Sequence, residues 1–168
     1  MSRTAEAPAA AGGSASLAPV VADAERLGLD IAPIRLEAGT TTAADAARAC
    51  GCEIDQIIKS IVFRVAGSER HALFLTAGGN RVDPAKAGAL VGAPLEKADA
   101  ASIRAHTGFA IGGVSPLGHL TPIDTFLDPK ILTFAVIWAA AGTPHHVFAV
   151  DPRALASALA PRVADFTG

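Results

Sequence analysis

The sequence predicts an α+β (mixed α/β) fold, a single compact domain with a central mixed sheet flanked by helices. Three observations carry this. Helical and strand periodicities are mixed along the chain. Two consecutive strand patterns around Gly67-Ser68 read as an antiparallel hairpin, which argues against a purely parallel sheet. A length of 168 residues, 51% hydrophobic and 18% charged, matches one ordinary domain with ample core and is too apolar for a disordered chain.

The elements follow in order. Leu17, Val20, Val21, Ala24 and Leu27 keep helical spacing, predicting an amphipathic helix over 16–28 with Ser16 as N-cap and Gly28 as its stop. A short strand follows at Ile34–Leu36. Thr42 caps a helix over Ala43–Ala49 that ends at Gly51. Ile61, Phe63 and Val65 alternate as a strand, and after the turn Ala72–Thr76 forms its partner. Asp83-Pro84 is an N-cap followed by proline at the first helical position, opening a helix that stops near Gly92; Asp99 opens another through Ile103–His106. Gly108–His119 reads as loop. The continuous apolar run Ile131–Trp138 reads as a central strand buried on both faces. Val147–Val150 gives one more strand, and Asp151-Pro152 opens a last helix with Leu155 and Leu159 on its inner face. Residues 1–15, rich in Ala, Gly, Pro and Ser and without the apolar core of a signal peptide, read as a flexible tail before a domain spanning 16–168.

Composition narrows function. A net charge of −2 and a pI near 6.2 exclude broad non-specific binding to nucleic acid, although one basic face gripping a single RNA end remains compatible. DNA is therefore not an expected partner. No apolar run reaches the roughly 18–20 residues of a membrane helix, so no membrane partner is expected either. Cys50 and Cys52, one residue apart, do not make a disulfide framework, which points to the reducing cytoplasm.

Lys59 stands out, a lysine among Ile57, Ile58, Ser60 and Ile61 as a strand begins. Such a place strips water from the ammonium, so it faces an anion, a carbonyl or a cavity, or else snorkels from a sheet edge. The second feature is Gly112-Gly113-Val114-Ser115-Pro116-Leu117-Gly118-His119. Its glycines let backbone N–H groups approach a ligand, and proline fixes the direction. Gly113 and Gly118 have phosphate-loop spacing, but His119 and Leu120 stand where that motif needs Lys and Ser or Thr. The bland reading is an ordinary turn. His145 and His146 would point to opposite faces of a strand and chelate one metal poorly. His71 and His106 read as surface residues, and His119 as a minor candidate for substrate contact. No metal site is expected, and no serine or cysteine is locally paired with a base.

Taken together, Ile57-Ile58-Lys59-Ser60-Ile61-Val62-Phe63 and, about fifty residues on, Gly112–Gly118 resemble the YbaK/ProX family of aminoacyl-tRNA deacylases, related to the editing domain of bacterial prolyl-tRNA synthetase. The resemblance takes in the Thr42–Gly51 helix, Thr121–Asp128 and Phe134–Val150, nearly everything from residue 16 onward. It implies a freestanding, cytoplasmic editing factor for translation fidelity that hydrolyses the ester of a mischarged aminoacyl-tRNA at its 3′ end, without metal or cofactor. Lys59 and the backbone of Gly112 and Gly113 would do the catalytic work. Ile58, Ser60, Ile111, Val114, Ser115, Pro116 and His119 would contact the substrate. Water, aided by the substrate's ribose hydroxyl, would be the nucleophile. Arg64, Arg81 and Arg104 are candidates for gripping the tRNA end, and a synthetase or elongation factor for presenting it. Two other readings compete: a non-catalytic aminoacyl- or nucleotide-binding module on the same fold, and a Schiff-base lysine for pyridoxal phosphate, for which the sequence offers no second element.

Overall fold

The computed structural model describes residues 14–168; the tail expected over 1–15 lies, for residues 1–13, outside the described residues. Helix α1, Ser14–Arg26, starts two residues before Ser16, which is therefore inside the helix and is not its cap. Leu17, Val20 and Ala24 form its buried stripe. Its end is the one expected: Leu29 N–H reaches the Ala24 carbonyl (2.8 Å) and Gly28 N–H that of Glu25 (3.1 Å), a Schellman pair. Strand β1 is Ile34–Arg35, and α2 is Ala43–Cys50. Thr42 and Asp45 close a capping box over α2, in which Thr42 Oγ1 accepts the Asp45 N–H at 3.0 Å.

The predicted hairpin is present as β2, Ile58–Val65, and β3, His71–Ala77, antiparallel with Lys59 opposite Thr76 and Arg64 opposite His71. Both Asp-Pro helices form: α3, Pro84–Val91, and α5, Pro152–Leu159, each with the Asp carboxylate on the second N–H after it. Between them lie β4, Leu95–Lys97, α4, Ala100–Thr107, β5, Asp124–Leu127, β6, Ile137–Ala140, and β7, His146–Val150; β8, Arg162–Val163, follows. The apolar run at 131–138 is not one strand. Asp128-Pro129 repeats the cap-and-proline device, with Asp128 Oδ1 accepting the Lys130 N–H, and winds Pro129–Thr133 into a 3₁₀ helix. Only Ile137–Ala140 remains extended, alternating buried and half-buried.

The strands form two sheets: β4-β2-β3-β5-β8, which mixes antiparallel and parallel pairs, and the antiparallel β1-β7-β6. Every residue of the central strand β3 is buried. That corrects the surface reading of His71, which is 6% exposed, bonded to the Glu69 carbonyl and Ser102 Oγ, and tilted against the half-buried His106 at 4.5 Å. On one side of the larger sheet Phe74 stacks on Phe126 at 4.8 Å and meets Phe166 edge-on at 5.0 Å. Each such pair adds about 0.5–1.5 kcal/mol beyond its buried area. A parallel bridge, Ile57 to Trp138, joins the two sheets just before β2 begins. The start of β2, with Lys59, therefore sits where the sheets converge.

Candidate active site

A cavity of about 320 Å³ opens at that convergence. Strand β2 contributes Ile58, Lys59 and Ser60; the glycine loop contributes Ile111, Gly112 and Val114; the β6–β7 turn contributes Thr143, Pro144 and His146. Thr40–Thr42, at the start of α2, form another wall, and Leu36, Ala46, Ile57, Trp138 and Val147 line it with apolar side chains. Ile58 and Val114 are buried, whereas Ile111 is 55% exposed at the mouth.

Lys59 lines this space from a half-buried strand position, and its Nζ donates to the Asn80 backbone carbonyl. Burial, reinforced by the charge of Arg81, holds its ammonium below the usual lysine range, while Asp55 and Asp128 act in the opposite sense. Of the three arginines considered from the sequence, Arg81 is the one whose charge reaches Lys59. Arg64 is ion-paired with Glu96, and Arg104 lies on the exposed face of α4.

The loop is bent by Gly112, whose φ of 89° is left-handed. Gly113 lies against the β6–β7 turn so closely that a Cβ there would stand 2.7 Å from Thr143 Cα. Its N–H is committed to the Ala110 carbonyl at 2.9 Å, whereas the Gly112 N–H meets no acceptor among the described residues. Ser115 and Pro116 are buried behind the loop. Ser115 Oγ accepts the Leu117 N–H at 3.1 Å, and its carbonyl bonds His119 Nε2. His119 lies outside the cavity, in a separate groove with Pro116, Asp23 and Pro19. The structure thus brings Ile58, Lys59, Ser60, Ile111, Gly112 and Val114 together, backs them with Gly113 and Ser115, and turns Pro116 and His119 elsewhere.

Sequence reasoning missed His146 as a cavity residue. It placed the two histidines on opposite faces, and His145 is indeed exposed while His146 is 4% exposed; it did not see that one face is the cavity wall. Thr143 Oγ1 accepts the His145 N–H at 3.1 Å and contacts His146 Nδ1 at 2.7 Å. We assign the hydroxyl proton to Nδ1, which leaves the neutral ring's own proton on Nε2. Burial, then Arg35 and His145, keep this imidazole below its usual range and so neutral near pH 7. His146 Nε2 and Ser60 Oγ are both buried without a partner. Orphaned polar groups of this kind cost about 1–3 kcal/mol each, which favours a ligand with matching polar atoms. Cys50 and Cys52 pack as small apolar groups behind the floor, burial pushing Cys50 up to about 11 and so away from thiolate chemistry. Among the described residues no group of three or more His, Cys, Asp or Glu is placed to hold a metal ion. Among them also, no helix is long and apolar enough to cross a membrane.

Comparison with known proteins gives one family match. The aminoacyl-tRNA editing domain matches residues 37–158, which hold every cavity residue except Leu36. A crystal structure described as that of a candidate trans-editing enzyme for prolyl tRNA synthetase superposes with a TM-score of 0.85 at 42% identity, covering 91% of this chain and 97% of that one. A second, of hypothetical protein APE2540, shares the fold with a TM-score of 0.82 at 23% identity, covering 89% and 99% of the two chains. The uncharacterized protein YwhH of Bacillus subtilis (strain 168) is 27% identical over 119 residues, 71% of this chain and 75% of its own.

Proposed function

The chain belongs to the aminoacyl-tRNA editing domain family, and from that premise we propose that it acts in trans as an aminoacyl-tRNA deacylase, hydrolysing the ester of a mischarged tRNA in prolyl-tRNA-type proofreading. The observation that carries this reading is that Lys59 and Gly112, whose N–H meets no acceptor among the described residues, line one cavity. In the proposed reaction a water oxygen attacks the ester carbonyl carbon. The carbonyl oxygen gathers negative charge, the bond to the ribose oxygen breaks, and that oxygen leaves with a proton. Two donors from different elements suit such a step: a cation on rigid β2 and a backbone N–H on the facing loop. Lys59 would hold the phosphate or carbonyl oxygen of the tRNA end, and Gly112 N–H would stabilise the oxyanion. His146 Nε2–H and Ser60 Oγ would bond the aminoacyl group or ribose, where the substrate's own hydroxyl assists the water. The apolar lining around Ile57, Ile58 and Val114 makes the second sieve that one synthetase pocket cannot provide, since a methylene difference is worth only about 1–3 kcal/mol.

The proposed setting is the cytoplasm, and the substrate is the 3′ end alone. Arg81 beside Lys59 supplies the second cation, and a net charge of −2 makes presentation by a synthetase or elongation factor part of the proposal. The test is a deacylation panel of mischarged and correctly charged tRNAs. Turnover of at least one mischarged species is expected, and its loss in Lys59→Ala with thermal unfolding unchanged. Binding of aminoacyl-tRNA without any turnover would instead establish the non-catalytic binding module.

A further inference from the structure

Lys59 is held by a main-chain carbonyl, so its position depends on whatever fixes that carbonyl. We propose that Asp128 is a positioning residue for Lys59, acting through the Ala77–Asn80 turn. The proposal rests on the reading of Lys59 as the residue that engages substrate.

Asp128 follows β5 and is 3% exposed, yet it makes no ion pair among the described residues. A carboxylate buried this way persists only where hydrogen bonds replace its water. Here they do. Oδ2 accepts the Ala77 N–H at 3.1 Å and the Asn80 side-chain amide at 2.9 Å, and Oδ1 accepts the Lys130 N–H at 3.0 Å. Ala77 and Asn80 are the two ends of a turn closed by Asn80 N–H on the Ala77 carbonyl at 2.8 Å, so one oxygen clamps both ends. From the other side Asp55 Oδ1 takes the Gly79 N–H at 2.8 Å, and a Cβ on Gly78 would stand 2.2 Å from the Ile54 carbonyl oxygen. Held on three sides, the turn presents its Asn80 carbonyl at a fixed point. A lysine otherwise spreads over many rotamers, and this acceptor selects the one that reaches the Asn80 carbonyl. The charged groups around the ammonium are Arg81, Asp55 and Asp128. The sequence marks none of this, because Asp128 lies 69 positions from Lys59 and reads only as the cap of the Pro129 turn, which it also is.

The experiment compares Asp128→Asn and Asn80→Ala in the full chain. An asparagine at 128 must turn its NH₂ toward one of the three donors. Alanine at 80 keeps the carbonyl but removes the side-chain arm of the clamp, at a half-buried position. The readout is the Lys59 side-chain resonance in lysine-labelled protein, assigned with Lys59→Ala, followed against pH. Both variants are expected to broaden it and move its titration, and to lower kcat about tenfold with KM within about twofold. Neither should reduce activity further in a Lys59→Ala background. Lower thermal stability with an unmoved Lys59 resonance in Asn80→Ala would overturn the proposal, whether or not Asp128→Asn folds. A panel without any turnover would remove the deacylase reading, while the resonance would still decide the relay.

Discussion

Ile111–Val114 and Pro116–His119 are neighbours in one loop, yet they line different openings. The first stretch faces Lys59 across a cavity of about 320 Å³; the second faces α1 across a groove of about 750 Å³. Volume alone would choose the groove. Its polar groups, however, are already satisfied: Asp23 takes the Gly118 N–H at 2.8 Å and pairs with Arg26, and His119 takes the Ser115 carbonyl. In the smaller cavity Ser60 Oγ, His146 Nε2 and Gly112 N–H have no partner among the described residues. Unspent hydrogen-bonding capacity beside a desolvated cation, rather than size, marks the place where a ligand completes the structure.

Four substitutions test that contrast. Lys59→Ala, on the cavity side, has the largest expected effect, a loss of about 10²- to 10³-fold in deacylation measured by release of labelled amino acid. Gly113→Ala comes next. Its methyl would enter the Thr143 backbone, and overpacking of this kind costs about 1–3 kcal/mol, a fall of about 2–12 °C in Tm by calorimetry, with activity lost alongside. His146→Ala should reduce kcat/KM about tenfold, one hydrogen bond's worth, and cost about 1 kcal/mol of stability through the lost Thr143 contact. His119→Ala, on the groove side, should cost about 1 kcal/mol of stability through the Ser115 bond and leave kcat/KM within about twofold. A larger loss of activity at His119 than at His146 would invert the division between the two stretches.

Much of this was legible in the chain, and the reasons differ from element to element. The hairpin, the α2 cap at Thr42 and the Asp-Pro openings at 83 and 151 were readable because each depends on residues within a few positions of one another. The third Asp-Pro, at 128, was overruled by the apolar run behind it, and a 3₁₀ turn was read as strand. Short β4, β5 and β8 went unseen because strands of two to four residues carry too few positions to show alternation. In the site, Lys59 and Gly112 were readable from the chemistry of their surroundings. The parting of His146 from His119 was not, since it depends on which side of a loop each neighbour occupies in space.

Helix α1 has a bearing on where the domain ends. A Cβ on Gly118 would stand 2.8 Å from the Pro19 carbonyl, and one on Gly142 would stand 2.3 Å from the Ser16 carbonyl. The far end of the glycine loop and the residue before Thr143 thus rest on the same helix from behind, which fixes the spacing of the two jaws that meet at Gly113 and Thr143. That helix lies upstream of residue 37, where the family match begins, and Phe166, fully buried in the core, lies beyond residue 158, where it ends. The matched segment is therefore smaller than the mechanical unit. A fragment cut at the match boundaries would keep every residue proposed to touch the substrate and lose the frame that holds them at working distance.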